Sequence, residues 1–337
     1  MKPLTIQRWL LTNGLLLALL AVTLAVCACV GVPIDLRDAL ANWGKPNPSF
    51  DILFRTRIPR VLLAAVVGAA LAPAGVVFQA LLRNPLADPY ILGVSAGGSL
   101  GAVTAIALGL DMTFLGISPV SLYTFAGALL AIALVYAIAR PRGAVGVNTL
   151  LLAGIIVSYF LSAITMAITY VSDPYQSQKI LRWLMGGLYL VSFQDLARSL
   201  PWVVAGFVAM FALARNLNLL TFGEESALQL GVDVERTKKV TFVVASLVTA
   251  AAVSVSGPIG FVGLIVPHAM RLIVGPDHRI LLPASFLAGG LFLTVADTLA
   301  RRLVAPTEIP VGVITALCGG PFFIWLLYRR QKRAFVS

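Results

Sequence analysis

The chain has 337 residues, of which 59% are apolar and only 12% are charged, and its formal net charge is +11. An ordinary soluble domain carries about 25% charged residues, so this composition excludes a water-exposed fold that could cover its own core. It also excludes a disordered chain, because disordered chains are poor in apolar residues and rich in charged ones. The apolar residues suffice for roughly ten helices of the length that crosses a bilayer. We therefore predict an all-α polytopic membrane protein with a single domain, residues 1–337.

Apolar segments alternate with polar ones along the whole chain. A mixed segment, 172–195, is too polar to cross, and we interpret its short apolar piece Trp183-Leu184-Met185 as interfacial or re-entrant. A charged loop, 215–239, follows the sixth apolar segment. The predicted spans lie at about 10–32, 58–82, 91–110, 119–139, 148–170, 199–214, 240–256, 259–274, 281–300 and 310–328.

Ten spans place both termini on the same side of the membrane. If the termini are inside, the inner connections carry 15 Lys and Arg residues and the outer ones carry 10. Basic residues concentrate in cytoplasmic connections, so this bias favours termini inside. Several outer arginines lie close to span ends against this rule, which indicates a specific role for them: Arg55, Arg57, Arg60, Arg301 and Arg302.

The positive charge does not indicate nucleic-acid binding. No run of Lys and Arg is interleaved with aromatic residues, as a surface that stacks bases would require. A basic tail that follows the last span is typical of a topology anchor, and this tail consists of Arg329, Arg330, Lys332 and Arg333. We therefore expect no nucleic-acid partner.

Glycine and proline inside the predicted spans indicate close packing and broken helices. Gly97 and Gly101 form a small-xxx-small pair, which lets two helix backbones approach closely. The stretch 257–263 contains three glycines and a proline and predicts a tight turn or helix break. Pro73 and Pro267 predict kinks. Such bundles are typical of transporters, although tight packing without transport remains an alternative.

Catalytic motifs are nearly absent. The residues Gly93-Val94-Ser95-Ala96-Gly97 match the Gly-x-Ser-x-Gly pattern of serine hydrolases, which requires a strand-turn-helix context. An intramembrane hydrolase that uses Ser95 and His268 is therefore the alternative function. His268 is otherwise interpreted as a polar residue at the inner boundary, beside Pro267 and Arg271. We predict no catalytic residue, no metal site and no cofactor.

The chain shows no energy source of its own. It lacks a Gly-x-x-x-x-Gly-Lys-Ser/Thr loop and so cannot hydrolyse a nucleotide by that route. Ion-coupled transport usually needs ionisable residues within the spans, and almost none are present. Asp297 lies four residues before Arg301, a spacing that predicts an ion pair rather than a proton relay. A transporter of this kind needs a partner that supplies energy.

The loop after the sixth span offers a docking point for such a partner. A short helix is predicted over 224–230, with Glu224 and Glu225 in its first turn and Gly231 as its stop. Ala227, Leu228 and Leu230 are expected to give it an apolar patch. The alternative is a solvated surface helix without a partner.

Several sequence blocks together resemble one protein family. The blocks occur in the order that the family shows and extend over nearly the whole sequence. They are specific for the family but not for its substrate. The family is that of FecCD permeases, the membrane subunits of type II ATP-driven (ABC) importers of ferric siderophores, haem and cobalamin. The matching blocks are Arg57-Ile58-Pro59-Arg60, Gln79, Arg83-Asn84-Pro85-Leu86-Ala87-Asp88-Pro89, Leu92-Gly93-Val94-Ser95, the stretch from Gly257 to His268, Asp277-His278-Arg279, Ala296-Asp297 and Ile309-Pro310-Val311-Gly312.

The resemblance implies a ten-helix permease that works as a homodimer in the cytoplasmic (inner) membrane of a bacterium, surrounded by membrane lipid. Two cytoplasmic ATP-binding subunits and an extracytoplasmic substrate-binding protein would complete the importer. Both termini would lie in the cytoplasm. The implied cargo is a ferric siderophore first, and haem and cobalamin stay open.

The resemblance also implies roles for individual residues. Three arginines would pair with acidic residues of the binding protein: Arg57, Arg60 and Arg301. The loop helix would couple to the ATP-binding subunit through Glu224, Glu225, Ala227, Leu228, Leu230 and Gly231. The inner gate would contain Asn84 and Leu86 and, by a looser match, Val147 and Asn148.

Overall fold

A computed structural model of the chain describes residues 5–334, apart from 32, 36, 38, 40–46, 114–115, 141–145 and 190–191. The side chains of the predicted basic tail lie outside the described part. Ten helices that match the ten predicted spans are α1 Ile6–Cys29, α2 Ile58–Leu81, α3 Val94–Ala107, α4 Pro119–Ala139, α5 Val147–Val171, α6 Phe193–Ala212, α7 Val234–Ser256, α8 Val262–Val274, α9 His278–Arg302 and α10 Val311–Ala334.

The helices differ in how much of a bilayer they could cross. In the described part, seven helical segments are long and apolar enough to span a membrane. One of them is α2 together with the residues from Pro48 that precede it. Three shorter apolar helices, α3, α8 and the stretch Val311–Leu326 of α10, account for the other predicted segments. The prediction of an all-α polytopic membrane protein is therefore confirmed.

Helix α2 forms the centre of the bundle. Most of its apolar window is buried, 83%, whereas the corresponding share is 11% for α1 and 17% for α6. It packs against α9, α7 and α8. Since α1 and α6 expose their apolar side chains, they form part of the surface that a lipid bilayer would cover.

Glycine pairs set the closest helix contacts. A Cβ atom on Gly97 or Gly101 would overlap the backbone of α4 at Gly127 or Tyr123. The predicted small-xxx-small contact is thus confirmed, with α4 as its partner. Gly68 of α2 and Gly289 of α9 approach each other in the same way. Such contacts leave no room for a larger side chain on either helix.

The predicted break at 257–263 separates α7 from α8. Gly257 has φ +65°, and Phe261, the residue before α8, has φ +68° in the left-handed region. The amide of Ile259 donates to the Tyr90 hydroxyl at 3.0 Å, so a side chain replaces the helical partner that the break removes. Pro73 and Pro267 lie inside α2 and α8, and the kinks expected there stay predictions.

Long-range contacts sort the connections into two ends of the bundle. At one end, Arg8 donates to the Val274 carbonyl at 3.0 Å and Asn218 donates to Asp277 at 2.8 Å. Two of the predicted inner connections, the charged loop and the connection before α9, therefore lie together beside the start of α1. At the other end, Arg60 of α2 meets the last turns of α9. Which end faces the cytoplasm stays a prediction.

Short helices lie in the mixed and charged segments. The segment 172–195 contains the helix Pro174–Leu184, which buries Ile180 and exposes Leu181. This agrees with the prediction of a segment that does not cross. Trp183 and Leu184 end that helix rather than forming a separate piece. The charged loop contains the helix Glu224–Gln229, called the loop helix below.

Candidate sites at the two ends of the bundle

Buried ion pairs join α2 and α9 at the end of the bundle that is predicted to face outward. Arg60 contacts both oxygens of Asp297 at 3.0–3.2 Å and Glu308 at 2.8 Å. Arg301 Nε lies 3.2 Å from the same Asp297 carboxylate, as an ion pair without hydrogen-bond geometry. The predicted pairing of Asp297 with Arg301 is confirmed. Asp297 is 1% exposed, so these arginines neutralise a carboxylate that could not be buried alone.

The three arginines implied for docking surround one cavity. It has a volume of about 300 Å3 and is lined by Arg57, Arg60 and Arg301, together with Arg302 and Glu308. We call the four arginines the outer arginine cluster. Arg57 is buried at 5% exposure and lies against Gly31, whereas Arg302 is exposed. A partner's carboxylate would therefore reach into a cationic recess rather than meet protruding side chains.

The loop helix has the predicted capping geometry. It starts after Gly223, which has φ +116°, and Glu224 and Glu225 occupy its first turn. Negative side chains there are favourable because the helix dipole is positive at that end. Gly231 follows the helix with φ +81°, a conformation that glycine adopts without strain.

The apolar patch of the loop helix differs from the expected one. Ala227 is fully buried beneath the helix, so its assignment to the exposed patch is wrong. Its small side chain lets the helix lie directly against the bundle. Leu228 and Leu230 are exposed at 58% and 63%, and Phe222, at 75%, lies in the turn just before the helix. The exposed patch therefore consists of Phe222, Leu228 and Leu230.

Glu224 points back toward the bundle. Its carboxylate lies 2.6 Å from Lys238 Nζ and 3.5 Å from Arg83 Nη2. Glu225 is exposed. Of the two glutamates predicted to couple, only Glu225 faces outward, and Glu224 holds the loop helix in place.

The turn 83–89, which contains the implied gate residues, is fixed by local hydrogen bonds. Asn84 accepts the amide of Leu86 at 2.9 Å, and Asp88 accepts the amide of Tyr90 at 2.8 Å. Short Asn and Asp side chains stabilise turns in this way. Leu86 is half-buried on this turn. The segment 83–89, which contains Pro85 and Pro89, is thus a well-defined turn.

The second half of the implied gate lies at the start of α5. Val147 and Asn148 line a cavity of about 740 Å3, together with Arg83, Glu224 and Lys238. Asn84 and Leu86 are not among its lining residues, although Arg83 directly precedes them. The structure thus brings the start of α5 close to the 83–89 turn and the loop helix at one end of the bundle.

Asp88 is a buried carboxylate that the sequence did not single out. It is 8% exposed, and its carboxylate also accepts the amide of Phe261. Burial raises the pKa of Asp88 to about 6, and the two amide donors oppose this rise. The signal in the sequence was an Asp directly before a proline, a common start for a short helical turn. Asp88 ties the 83–89 turn to the break before α8.

The hydrolase alternative lacks the required geometry. Ser95 lies in the first turn of α3, after the left-handed Gly93 and the 3₁₀ turn Pro89–Leu92 rather than after a strand. The His268 ring instead lies edge-on to Phe322, with ring centres 5.8 Å apart. Among the described residues, no group of His, Cys, Asp and Glu could hold a metal ion.

Comparison with known proteins identifies the family. The sequence profile of the FecCD transport family matches residues 15–329. The chain belongs to the FecCD transport family. It is 50% identical over 293 residues to the cobalamin import system permease protein BtuC of Halobacterium salinarum, which covers 87% of this chain and 78% of that protein. It is 39% identical over 325 residues to the hemin transport system permease protein HmuU of Yersinia pestis, covering 95% and 96%.

The fold of this FecCD chain also resembles a solved structure of an ABC transporter. The fold is similar to that of a metal-chelate type ABC transporter in an inward-facing conformation. The TM-score is 0.83 with 33% identity, and the match covers 94% of this chain and 98% of the other. The chain is therefore the permease subunit of an ABC importer for iron chelates, haem or cobalamin, a transport component and not an enzyme. Nothing in the described part supports the hydrolase alternative.

Proposed function

We propose that two copies of this permease form the transport pathway between them, in the cytoplasmic membrane of a bacterium with both termini in the cytoplasm. Two cytoplasmic ATP-binding subunits supply the energy and an extracytoplasmic binding protein delivers the cargo. The two-ended arrangement supports this proposal: a cationic recess at one end and an exposed apolar patch at the other. The larger number of basic residues in the connections on the patch side supports its assignment to the cytoplasm.

For the cargo we propose a corrinoid. The 50% identity to a cobalamin permease, maintained over 293 residues, supports this choice over the ferric siderophore expected from the sequence. The ferric siderophore stays the second candidate because the similar solved structure is a metal-chelate type transporter.

Uptake into proteoliposomes tests the proposed cargo. Vesicles that contain the permease, its ATP-binding subunits and its binding protein are expected to accumulate labelled cyanocobalamin only when ATP is supplied. Ferrichrome and haemin, each labelled, are assayed in parallel with the same vesicles. Uptake of ferrichrome alone would establish the second candidate, and the absence of ATP-dependent uptake of all three would refute the proposed cargoes.

For the gate we propose that Leu86 narrows the inner end of the pathway across the dimer axis. The hydrogen bonds of Asn84 and Asp88 hold the 83–89 turn, so Leu86 can occlude the pathway without a flexible lid. The variant Leu86→Cys is expected to crosslink between the two copies in one nucleotide state and to separate in another. The measurement is disulfide yield with ADP and with ATP plus vanadate.

The control for the gate experiment is an exposed residue outside the turn. Cysteine at Gln229, on the loop helix, is expected to show no crosslinking between permease copies in either state. The native cysteines Cys27, Cys29 and Cys318 are first replaced with alanine or serine. If the Leu86→Cys pair never crosslinks, the gate lies elsewhere.

A further inference from the structure

Lys238 of α7 is a buried cation with two carboxylate partners. It is 5% exposed, and its ammonium lies 2.6 Å from Glu224 and 3.0 Å from Glu235. Removing a carboxylate from a buried ammonium leaves charge that is poorly solvated, which is unfavourable. The contact of Glu224 with Lys238 therefore fixes the first turn of the loop helix firmly to α7.

The second oxygen of Glu224 makes a weaker contact with the 83–89 turn. It lies 3.5 Å from Arg83 Nη2, and the Arg83 side chain is 43% exposed. Exposed pairs of this kind contribute little and form or break readily. Arg83 itself has φ +47°, an uncommon conformation for a residue with a side chain. The Glu224 carboxylate thus makes a fixed contact with Lys238 and a weaker contact with Arg83 that can open.

The neighbouring cavity gives the weaker contact room to change. The cavity of about 740 Å3 lies beside Arg83, Glu224 and Lys238 and extends to the start of α5. The Arg83 side chain can therefore move without displacing packed neighbours. The loop helix itself packs against the helix Ala214–Leu220 and α7, so a shift of these elements reaches the turn 83–89 through Glu224.

We propose that Glu224 and Arg83 are positioning residues that transmit displacement of the loop helix to the 83–89 turn. The proposal rests on the proposed function, in which an ATP-binding subunit moves the loop helix and Leu86 narrows the pathway. Glu224 stays attached to Lys238 throughout. Its contact with Arg83 is made in one state of the cycle and lost in another, which couples the turn to the nucleotide.

The test measures nucleotide-dependent crosslinking of Leu86→Cys in the assembled complex with its ATP-binding subunits. Adding Arg83→Gln, which removes the charge, is expected to reduce the difference between the ADP and ATP-plus-vanadate states at least threefold. The ATP-binding subunits are expected to copurify as before. Arg83→Lys keeps the charge and is expected to retain most of the difference, which a purely structural role of the guanidinium would not predict.

The matched control is Arg236→Gln, which removes an exposed arginine from the same end of the bundle. It is expected to leave the crosslinking difference unchanged. If Arg83→Gln reduces dimer yield, Arg83→Met, which keeps the length of the side chain without its charge, is measured in its place with the same expected reduction. An unchanged difference in the Arg83→Gln complex overturns the proposal, and so does loss of the ATP-binding subunits, which would make Arg83 a docking residue.

Failure of the proposed function is distinguishable from failure of this inference. If Leu86→Cys without further substitution shows no dependence on the nucleotide, the proposed gate fails and this inference fails with it. If that variant responds and Arg83→Gln responds equally, only the transmission through Arg83 is refuted.

Discussion

The double substitution Leu228→Arg and Leu230→Arg is expected to release the ATP-binding subunits from the permease. Both leucines are exposed, as is Phe222, and we propose that this patch enters a groove of the ATP-binding subunit. Burying an unpaired charge in such a contact costs on the order of several kcal/mol, which corresponds to a loss of affinity of about a hundredfold or more. Copurification of the ATP-binding subunits measures the effect, and ATP-driven uptake should fall in parallel.

The control for this experiment keeps the apolar surface. Leu228→Met and Leu230→Met conserve volume and are expected to retain the ATP-binding subunits. Ala227→Arg is unsuitable because Ala227 is buried against the bundle, so the substitution would displace the loop helix itself. If the double arginine variant inserts, dimerises and still takes up cargo, the contact lies on other inner connections, such as 83–89 or 276–279.

Replacing both Arg57 and Arg60 with glutamine is expected to weaken binding of the extracytoplasmic binding protein by about tenfold or more at low salt. We propose that the recess of the outer arginine cluster receives carboxylates of that protein, which would speed encounter and fix register. The measurement is the dissociation constant at low and at physiological salt, because screening should reduce the difference. Both substitutions remove the ion pairs of Arg60, but glutamine is preferable to glutamate because it keeps a hydrogen-bond donor there, whereas a negative charge would add repulsion with Asp297 and Glu308.

Two matched variants make the docking experiment selective. Glu308→Gln removes a carboxylate that competes for Arg60 and is expected to leave binding equal or tighter. Arg55→Gln removes an exposed arginine outside the recess, which pairs with Asp51, and is expected to change little. Equal affinity for the Arg57→Gln, Arg60→Gln permease and the unsubstituted one would contradict the proposed role.

The sequence predicted the ten apolar helices well because hydropathy reports on each segment alone. It predicted their ends less well. Helix α7 begins at Val234 rather than near 240, because Asp233 caps a charged first turn that stays helical outside the apolar stretch. Helix α6 likewise begins at Phe193, after the capping box of Ser192 and Asp195. Hydropathy marks the part of a helix that suits a membrane, whereas capping decides where the helix starts.

Contacts within one helix were predictable, but contacts between distant segments were not. The pairing of Asp297 with Arg301 follows from their spacing of four residues. The pairing of Asp297 with Arg60 joins residues 237 positions apart, and the sequence carries no spacing signal for it. The sequence likewise carries no signal for the buried position of Ala227 or the inward direction of Glu224. Both follow from the packing of the loop helix against α7 and the helix Ala214–Leu220.

The short helices α3 and α8 determine where bilayer thickness can act on this protein. With 14 and 13 residues, each is only about 20 Å long, against a hydrocarbon core of about 30 Å. Neither helix can match that thickness, so neighbouring helices must separate the polar ends of α3 and α8 from the acyl chains. The peripheral helix α1, with 24 residues, is about 36 Å long and does reach across. A thinner or thicker membrane would therefore be accommodated by tilt of the peripheral helices, while the short helices α3 and α8 keep their position.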